Sequence, residues 1–487
     1  MRTRSVDLAT LLRRLPASTQ VIGEASRTIG RIVIDSRETG DDALFVALQG
    51  EHVDSHVFVA QAVANGAAAV VVESGRTVEA GNATVIFVPD TRRALSALAA
   101  AFYGDPSRAL DVVGVTGTNG KTTTTRMIAS ICAAAGRPCG IVGTVGAEFG
   151  ERRWPLANTT PLPPELHALL AEMLDAGAQD VAMEVSSHAL ALDRVHDVRF
   201  RVAALTNITR DHLDFHGTLE AYAAAKHRLF TMAEAAVFNE DDEHGAQFAQ
   251  EFRGRIPVRT YGLRPGADAV PVRIDANASG SRFVLDGTTF TIALPGHFNV
   301  SNALAAIGVA RTLDISDAAS AHGLASLERV PGRMEHVGAA DIDVVVDYAH
   351  TPDALEAALQ ALRGTTPHHL AVVFGCGGDR DRGKRAEMGR VAAAIADRIY
   401  VTSDNPRTED PRAIIGEIEA GIGGHVYAVE PDRRVAIDRA IADAHAGDVV
   451  LIAGKGHETY QIIGAEALPF DDAAVARAAL LRRGAAQ

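Results

Sequence analysis

A chain of 487 residues exceeds what one hydrophobic core organises, so about three domains are expected at ~150 residues each. Its apolar share of 47% and charged share of 22% are those of a globular protein and exclude a disordered or fibrous chain. A net charge of -14 excludes a general nucleic-acid or membrane-surface binder, which would need a basic face; an acidic ligand must be met by individually placed arginines and lysines.

Cys132, Cys139 and Cys376 form neither a metal-spaced set nor an even disulfide framework, which fits a reducing, cytoplasmic setting. Near the start, Arg2, Arg4, Arg13 and Arg14 surround Leu8, Leu11 and Leu12, leaving no apolar core of signal-peptide length. No later apolar run approaches the ~20 residues of a membrane span, so a soluble intracellular protein is expected.

In chain order, residues 1–106 read as a small α/β domain. Strands are expected at Arg31 to Asp35, Leu44 to Leu48, Ala68 to Glu73 and Thr84 to Val88, with helices at Phe58 to Asn65 and Arg92 to Phe102. The cluster Gly104-Asp105-Pro106-Ser107 breaks the pattern and marks a boundary.

Residues 107–332 read as β-α-β repetition. The strand at Val112 is followed by a helix from Lys121 to Gly136, a strand at Ile141, a helix ending near Gly177, and strands Val181 to Val185 and Val202 to Thr206. Continuous β-branched runs between helices imply a mostly parallel sheet covered on both faces. Residues 256–294 read as a β-rich insertion. The third unit, 333–487, has expected strands at Val344 to Asp347, Leu370 to Phe374, Ile399 to Thr402 and Val449 to Ala453.

The first strand of the middle unit runs into Thr116-Gly117-Thr118-Asn119-Gly120-Lys121-Thr122-Thr123, which places loop amides, an ammonium and a hydroxyl around one anion. This is a phosphate loop of variant spacing, because the strict P-loop needs glycine at 115 and the chain has Val115. Glu184 ends a strand where a carboxylate can hold Mg²⁺ opposite the Thr122 hydroxyl. His212, flanked by Asp211 and Asp214, is a candidate second metal ligand. Lys226, in an alanine-rich helix, reads by composition as a solvated lysine. In the third unit, Gly375 to Arg385, Asp404-Asn405-Pro406-Arg407 and Gly454 to Glu458 all follow strands, where an open α/β sheet binds ligands. Together they describe a pocket for a small molecule with carboxylates and an amine.

These residues resemble the Mur ligase family nearly end to end. The resemblance rests on the phosphate loop together with Asp35-Ser36-Arg37, Asn158-Thr159-Thr160-Pro161, Met183 to His188, Gly296 to Asn302, Gly332-Arg333-Met334-Glu335 and Asp347 to Pro352. It implies three domains: a small α/β domain binding UDP, a central P-loop-type ATPase and a C-terminal Rossmann-like α/β domain receiving an amino acid. It implies that ATP activates the D-glutamate γ-carboxylate of a UDP-N-acetylmuramoyl-dipeptide for attack by the amine of meso-diaminopimelate. Phosphoryl transfer of this kind acts chiefly through positioning and charge neutralisation.

Residue by residue, the resemblance implies that Lys121 and the loop hold ATP, with Asn302, Arg333 and Asp347 completing that site. Thr122 and Glu184 would hold one Mg²⁺. Lys226, as a carbamate, would join Glu184 and His212 on a second, which reverses the reading from composition; a neutral lysine amine, favoured by burial near cations, is what reacts with carbon dioxide. Ile34, Ser36, Glu51, His52 and Val53 correspond to uridine contacts. Asn158, Thr159, Thr160, Ser186, Leu192 and Arg194 correspond to muramoyl-dipeptide contacts, and Leu192 departs from a substrate-contacting glutamine of relatives. Ser55 departs from a common glycine, a change expected to alter loop geometry. Arg380, Asp404, Asn405, Pro406, Arg407, Gly454 and Glu458 correspond to the diaminopimelate site, and Arg407 suits that substrate over lysine because it can pair with a distal carboxylate. A monomer is expected. A folylpolyglutamate-type ligase and a nucleotide-binding regulator without ligation remain the alternatives.

Overall fold

The computed structural model of the chain describes residues 4–50, 53–79, 81–277, 280–339, 341–364, 366 and 368–486. Glu51 and His52 lie outside the described residues. The backbone divides into two compact units, one of Met1–Thr116, Arg137–Ala203 and Ala225–Ala235, the other of Gly117–Gly136, Ala204–Ala224 and Ala236–Gln487.

The first unit begins with a five-stranded sheet ordered Gln20–Ile22, Thr84–Val88, Ala69–Glu73, Ala43–Val46, Arg31–Val33. The last four strands run parallel, and Gln20–Ile22 is an antiparallel edge. Alternate side chains of a strand point to opposite faces, so the unbroken apolar run Ala43–Val46 serves two cores. Leu44 and Val46 pack with Leu11, Leu95 and Leu98 on one face, whereas Phe45 packs with Val59 and Ala62 on the other. Helix Thr91–Phe102 starts where the Asp90 side chain accepts from the amides of Arg92 and Arg93. Ser55 binds both the amide and the carbonyl of Leu48, a pairing of the loop that glycine could not make.

The same unit holds the strands Arg152–Trp154, Gly146–Phe149, Cys139–Gly143, Asp180–Glu184 and Asp111–Thr116, neighbours in that order within the central sheet. Asp180–Glu184 is parallel to both of its neighbours here. The two outer strands are an antiparallel addition absent from the sequence expectation, because Glu148, Arg152 and Arg153 break the apolar pattern that marks a strand.

His167, on helix Pro163–Asp175, is wholly buried and neither ring nitrogen has a hydrogen-bond partner among the described residues. Burial pushes its pKa down from 6.5 to about 4, with Asp105 opposing and Arg14 assisting. The unfolded chain therefore binds the proton first as pH falls. Stability present at neutral pH is expected to drop by up to about 3 kcal/mol between pH 6.5 and 4. Denaturant unfolding across that range should show this slope, and His167→Phe should lack it.

In the second unit, Val258–Tyr261 pairs in parallel with Ala236–Asn239. The β-rich insertion is thus narrower than expected: its first strand joins the central sheet, and only Arg273–Asn277, Gly280–Leu285 and Thr288–Ile292 form a separate antiparallel sheet. Helix Lys121–Ala134 packs against His297–Thr312 and Asp317–Ser326.

The unit ends in a six-stranded sheet ordered Glu335–Ala339, Asp343–Asp347, Val449–Ala453, Leu370–Phe374, Arg398–Val401, Tyr427–Val429. All pairs but the first are parallel. Helices Pro352–Arg363, Gly383–Ile395 and Pro411–Ile422 cover one face, and Arg433–Asp443 and Asp472–Ala486 the other. Buried Arg433 pairs with buried Asp472 and donates to the carbonyls of Ser403 and Ala453, tying together two strand ends of the coming site. Among the described residues no helix is long and apolar enough to cross a membrane.

Candidate functional site

The phosphate loop is shaped by contacts that exclude side chains at its glycines. Gly117 has φ +150°, and a Cβ there would lie 1.8 Å from Thr206 Oγ1; Gly120 has φ +87°, and its Cβ would lie 2.2 Å from Asn302 Oδ1. Asn207 clamps the loop by accepting from the Asn119 amide at 3.0 Å and donating to the Asn119 carbonyl at 3.2 Å. Lys121 Nζ donates to the carbonyls of Gly117 and Thr118 at 2.9 and 2.8 Å. Thr118 Oγ1 lies 3.1 Å from Tyr222 Oη, while Thr116, Thr122 and Thr123 are buried.

Beside this loop a cavity of about 490 Å³ is lined by Asn119, Gly120, Asn207, Asn239, Phe298 and Asn302, among others. Its polar rim and the aromatic Phe298 suit a nucleotide. Arg333 reaches the loop from the far side of the chain: Nη2 donates to Thr122 Oγ1 at 3.0 Å, and the guanidinium stands 4.4 Å from the Tyr348 ring centroid. Asp347 accepts from the Met334 amide at 2.8 Å; burial pushes its carboxyl up, and Arg333 pulls the other way. The expected grouping of Thr122, Arg333 and Asn302 around the loop is therefore present.

In the first unit Glu184 is almost wholly buried, its two oxygens accepting from the Thr144 amide at 2.9 Å and the Thr144 hydroxyl at 3.0 Å. Thr144 Oγ1 also lies 3.1 Å from Thr159 Oγ1. Thr160, fully buried, donates to the Glu184 carbonyl and accepts from the Ser186 amide. The Thr159-Thr160 pair thus braces the Glu184 strand end. Arg194 Nη1 donates to the Thr160 carbonyl at 3.0 Å, and burial, with Arg92 nearby, lowers its pKa. Asn158 and Leu192 are half-buried. Ser36 is buried with its hydroxyl on Gln61, Ile34 is half-buried, and Val53 is exposed.

Lys226 is 1% exposed on helix Leu219–Phe230, which overturns the solvated reading from composition. Among the described residues no three His, Cys, Asp or Glu side chains form a metal-holding group. Glu184, and separately Thr122, carry the hard oxygen donors that Mg²⁺ takes beside substrate phosphates. The Glu184 carboxylate, held in place by Thr144, is an oxygen donor of the kind this ion takes.

Sequence reasoning missed Gly143 and Thr144. A Cβ at Gly143 would stand 2.3 Å from Glu184 Oε1, so the glycine makes room for the carboxylate. Their position at the exit of a parallel strand was the available signal.

The carboxyl ends of the third-unit strands converge on a cavity of about 260 Å³. Arg380, Asp404, Asn405, Arg407, Gly454 and Glu458 line it, together with His212, Asp211, His350 and Lys384. The Asn405 side chain makes three hydrogen bonds: its amide donates to Glu458 at 2.9 Å, and its Oδ1 accepts from Lys455 Nζ at 3.0 Å and the Ile462 amide at 2.9 Å. Pro406 is buried and its carbonyl faces Gly378, where a Cβ would lie 1.9 Å away. His212 Nε2 is 3.3 Å from Asp211 Oδ2, and His350 lies 3.8 Å from the same oxygen. Burial alone would raise the Asp211 carboxyl; His350, His212 and Lys384 together hold it well below the carboxylate range. Arg407 Nη1 donates to the Gly378 carbonyl at 2.9 Å, while its Nε and Nη2 edge has no protein partner among the described residues. Burial lowers its pKa, with Arg380 adding to the effect. The cavity therefore offers both acids and an open guanidinium edge.

Three family models match in succession: the Mur ligase family, catalytic domain, over residues 28–103; the Mur ligase middle domain over 115–310; and the Mur ligase, glutamate ligase domain, over 332–456. UDP-N-acetylmuramoyl-L-alanyl-D-glutamate--2,6-diaminopimelate ligase of Geobacillus thermodenitrificans is 45% identical, covering 98% of this chain and all of the relative. The ligase of the same name from Gloeobacter violaceus is 47% identical over 93% of this chain and 94% of its own. A solved structure of such a ligase matches with a TM-score of 0.69 at 35% identity, over 98% of this chain and 99% of the other. With three successive domains matched and identity of this extent along nearly its whole length, the chain belongs to the Mur ligase family.

Proposed function

We propose that this chain is an ATP-dependent ligase that joins meso-2,6-diaminopimelate to the D-glutamate γ-carboxyl of UDP-N-acetylmuramoyl-L-alanyl-D-glutamate, a cytoplasmic step of peptidoglycan synthesis carried out by a monomer. The observation that carries it to this amino acid is the open Nε and Nη2 edge of Arg407 on a cavity that also presents Asp404 and Glu458. A guanidinium edge pairs bidentately with a carboxylate, and the acids suit an ammonium. The domains of the reading are 1–106 for UDP, 107–332 for ATP and 333–487 for the amino acid.

A carboxylate is a poor electrophile, so the γ-phosphoryl group is first transferred to one of its oxygens, releasing ADP. The amine of diaminopimelate then attacks the acyl carbon; the tetrahedral adduct expels phosphate, the nitrogen loses a proton, and an amide remains. Lys121 and the loop amides orient the phosphates, Asn302 and Arg333 border the nucleotide, and Thr122 and Glu184 would each serve as a ligand of Mg²⁺. When bound, Mg²⁺ neutralises charge on the phosphates. The burial of Lys226 supports its carbamate form: the neutral amine adds to carbon dioxide, a C–N bond forms and a proton is released, giving a carboxylate-like group that would serve as a metal ligand. Ser36 and Val53 border uridine in this reading, and Asn158, Ser186 and Arg194 border the dipeptide.

The test is ADP release by the purified protein. Release that requires both the UDP-muramoyl-dipeptide and diaminopimelate supports the reading, whereas release with folate and glutamate, but not with the muramoyl nucleotide, contradicts it. Gly143→Ala provides a finer check. Its methyl would displace Glu184 without altering any charge, and a shift of ~1 Å is expected to lower kcat roughly 100-fold with the fold intact by circular dichroism.

A further inference from the structure

Arg407 adopts φ +52°, a left-handed conformation that non-glycine residues hold only when their surroundings enforce it. We infer that Asp379 is a positioning residue for amino-acid selectivity: with Thr408, Glu409 and Arg385 it braces the Arg407 turn so that the guanidinium edge meets the cavity. This rests on the assignment of that cavity to diaminopimelate.

The brace is built from two loops. The Asp379 carboxylate accepts from the Thr408 amide at 3.1 Å and from the Thr408 hydroxyl at 2.8 and 2.9 Å, taking hold of the residue directly after Arg407. In return, the Asp379 amide donates to Glu409 Oε1 at 2.6 Å. Glu409 is itself anchored by both Nη groups of Arg385, at 2.9 and 2.8 Å, and Arg385 is wholly buried and donates to the Gly377 carbonyl at 3.1 Å. On the opposite side, the Arg407 amide donates to the Ile462 carbonyl at 3.1 Å and its carbonyl accepts from the Gly464 amide at 2.7 Å.

These bonds leave the Arg407 backbone no room to relax toward an ordinary conformation. They also fix Gly378, whose carbonyl takes one end of the guanidinium. The other end keeps a single direction, toward the cavity. Asp379 is exposed, so its removal should not disturb a core. Its loss would instead free Thr408 and let Arg407 turn away, weakening the pairing with a distal carboxylate while leaving the ATP site untouched.

The experiment compares full-length wild type, Asp379→Ala, Asp379→Asn and Thr408→Val by steady-state kinetics with ATP, UDP-muramoyl-dipeptide, diaminopimelate and lysine. Asp379→Ala is expected to raise KM for diaminopimelate at least tenfold, with KM for ATP and for the nucleotide substrate within twofold and Tm nearly unchanged. The preference for diaminopimelate over lysine should fall by the same factor. Asp379→Asn, which keeps an acceptor for the Thr408 amide, should restore part of the loss, and Thr408→Val should move in the same direction without adding to Asp379→Ala in the double variant. An unchanged KM for diaminopimelate in Asp379→Ala overturns the inference, as does a rise in all three KM values with a fall in Tm. If wild type itself ignores diaminopimelate but uses another amino acid, the substrate assignment fails first and the inference with it.

Discussion

Lys226→Ala is expected to lose roughly 100- to 1000-fold in kcat while keeping its fold, on the scale observed when one preorganised electrostatic group is removed from an active site. Lys226, 1% exposed on helix Leu219–Phe230, has given up hydration. Conversion to a carbamate gives an anion that suits a divalent metal. High bicarbonate should not rescue the variant, because alanine offers no amine. Mass spectrometry of the intact wild-type protein under carbon dioxide, read beside the kinetics, checks the modification itself; full activity in Lys226→Ala would remove the carbamate from the mechanism.

Arg407→Ala is expected to raise KM for diaminopimelate by roughly 150- to 5000-fold, the equivalent of the ~3 to 5 kcal/mol typical of breaking a buried ion pair. ATP affinity should stay the same, since the nucleotide cavity shares no lining residue with the one that Arg407 lines. Arg407→Lys should recover little, because an ammonium cannot present two parallel donors to one carboxylate. The same geometry explains why lysine is disfavoured by the wild type: without a distal carboxylate it leaves the half-buried guanidinium edge desolvated and unmatched. An amino-acid preference unchanged by Arg407→Ala would remove this residue from selectivity.

Much of the fold was legible because the buried parallel strands are unbroken apolar runs. Ala69–Glu73, Thr84–Val88, Leu370–Phe374 and Val449–Ala453 fall within a residue of their expected limits. One strand that escaped notice, Ala236–Asn239, lies inside its sheet; the others lie at or next to an edge. Tyr427–Val429, Glu335–Ala339 and the pair Gly146–Phe149 and Arg152–Trp154 are short or polar, and nothing in their local pattern distinguishes them from loops. Strand Val258–Tyr261 was assigned to the insertion because sequence order does not reveal which sheet a strand joins.

The site divides in the same way. Loop glycines and strand-end clusters were readable from local chemistry. Lys226 was not, since its burial comes from tertiary packing around an alanine-rich helix and not from its own neighbours in sequence. Thr144 and Glu184 are separated by 40 residues and meet because Cys139–Gly143 pairs in parallel with Asp180–Glu184. The grip of Arg333 on Thr122 spans 211 residues and was expected only through resemblance to a family. Asp379 lay in plain view within a glycine-rich loop, but its role depends on a backbone angle at Arg407 that no sequence pattern reports.

The most direct measurement is ADP release with UDP-N-acetylmuramoyl-L-alanyl-D-glutamate and a panel of amino acids, among them meso-diaminopimelate, lysine, ornithine and glutamate. Turnover confined to diaminopimelate, with lysine slower by at least 100-fold in kcat/KM, is the expected result. Equal or faster turnover with lysine would contradict the role given to Arg407 and the identity of the amino acid that this ligase adds.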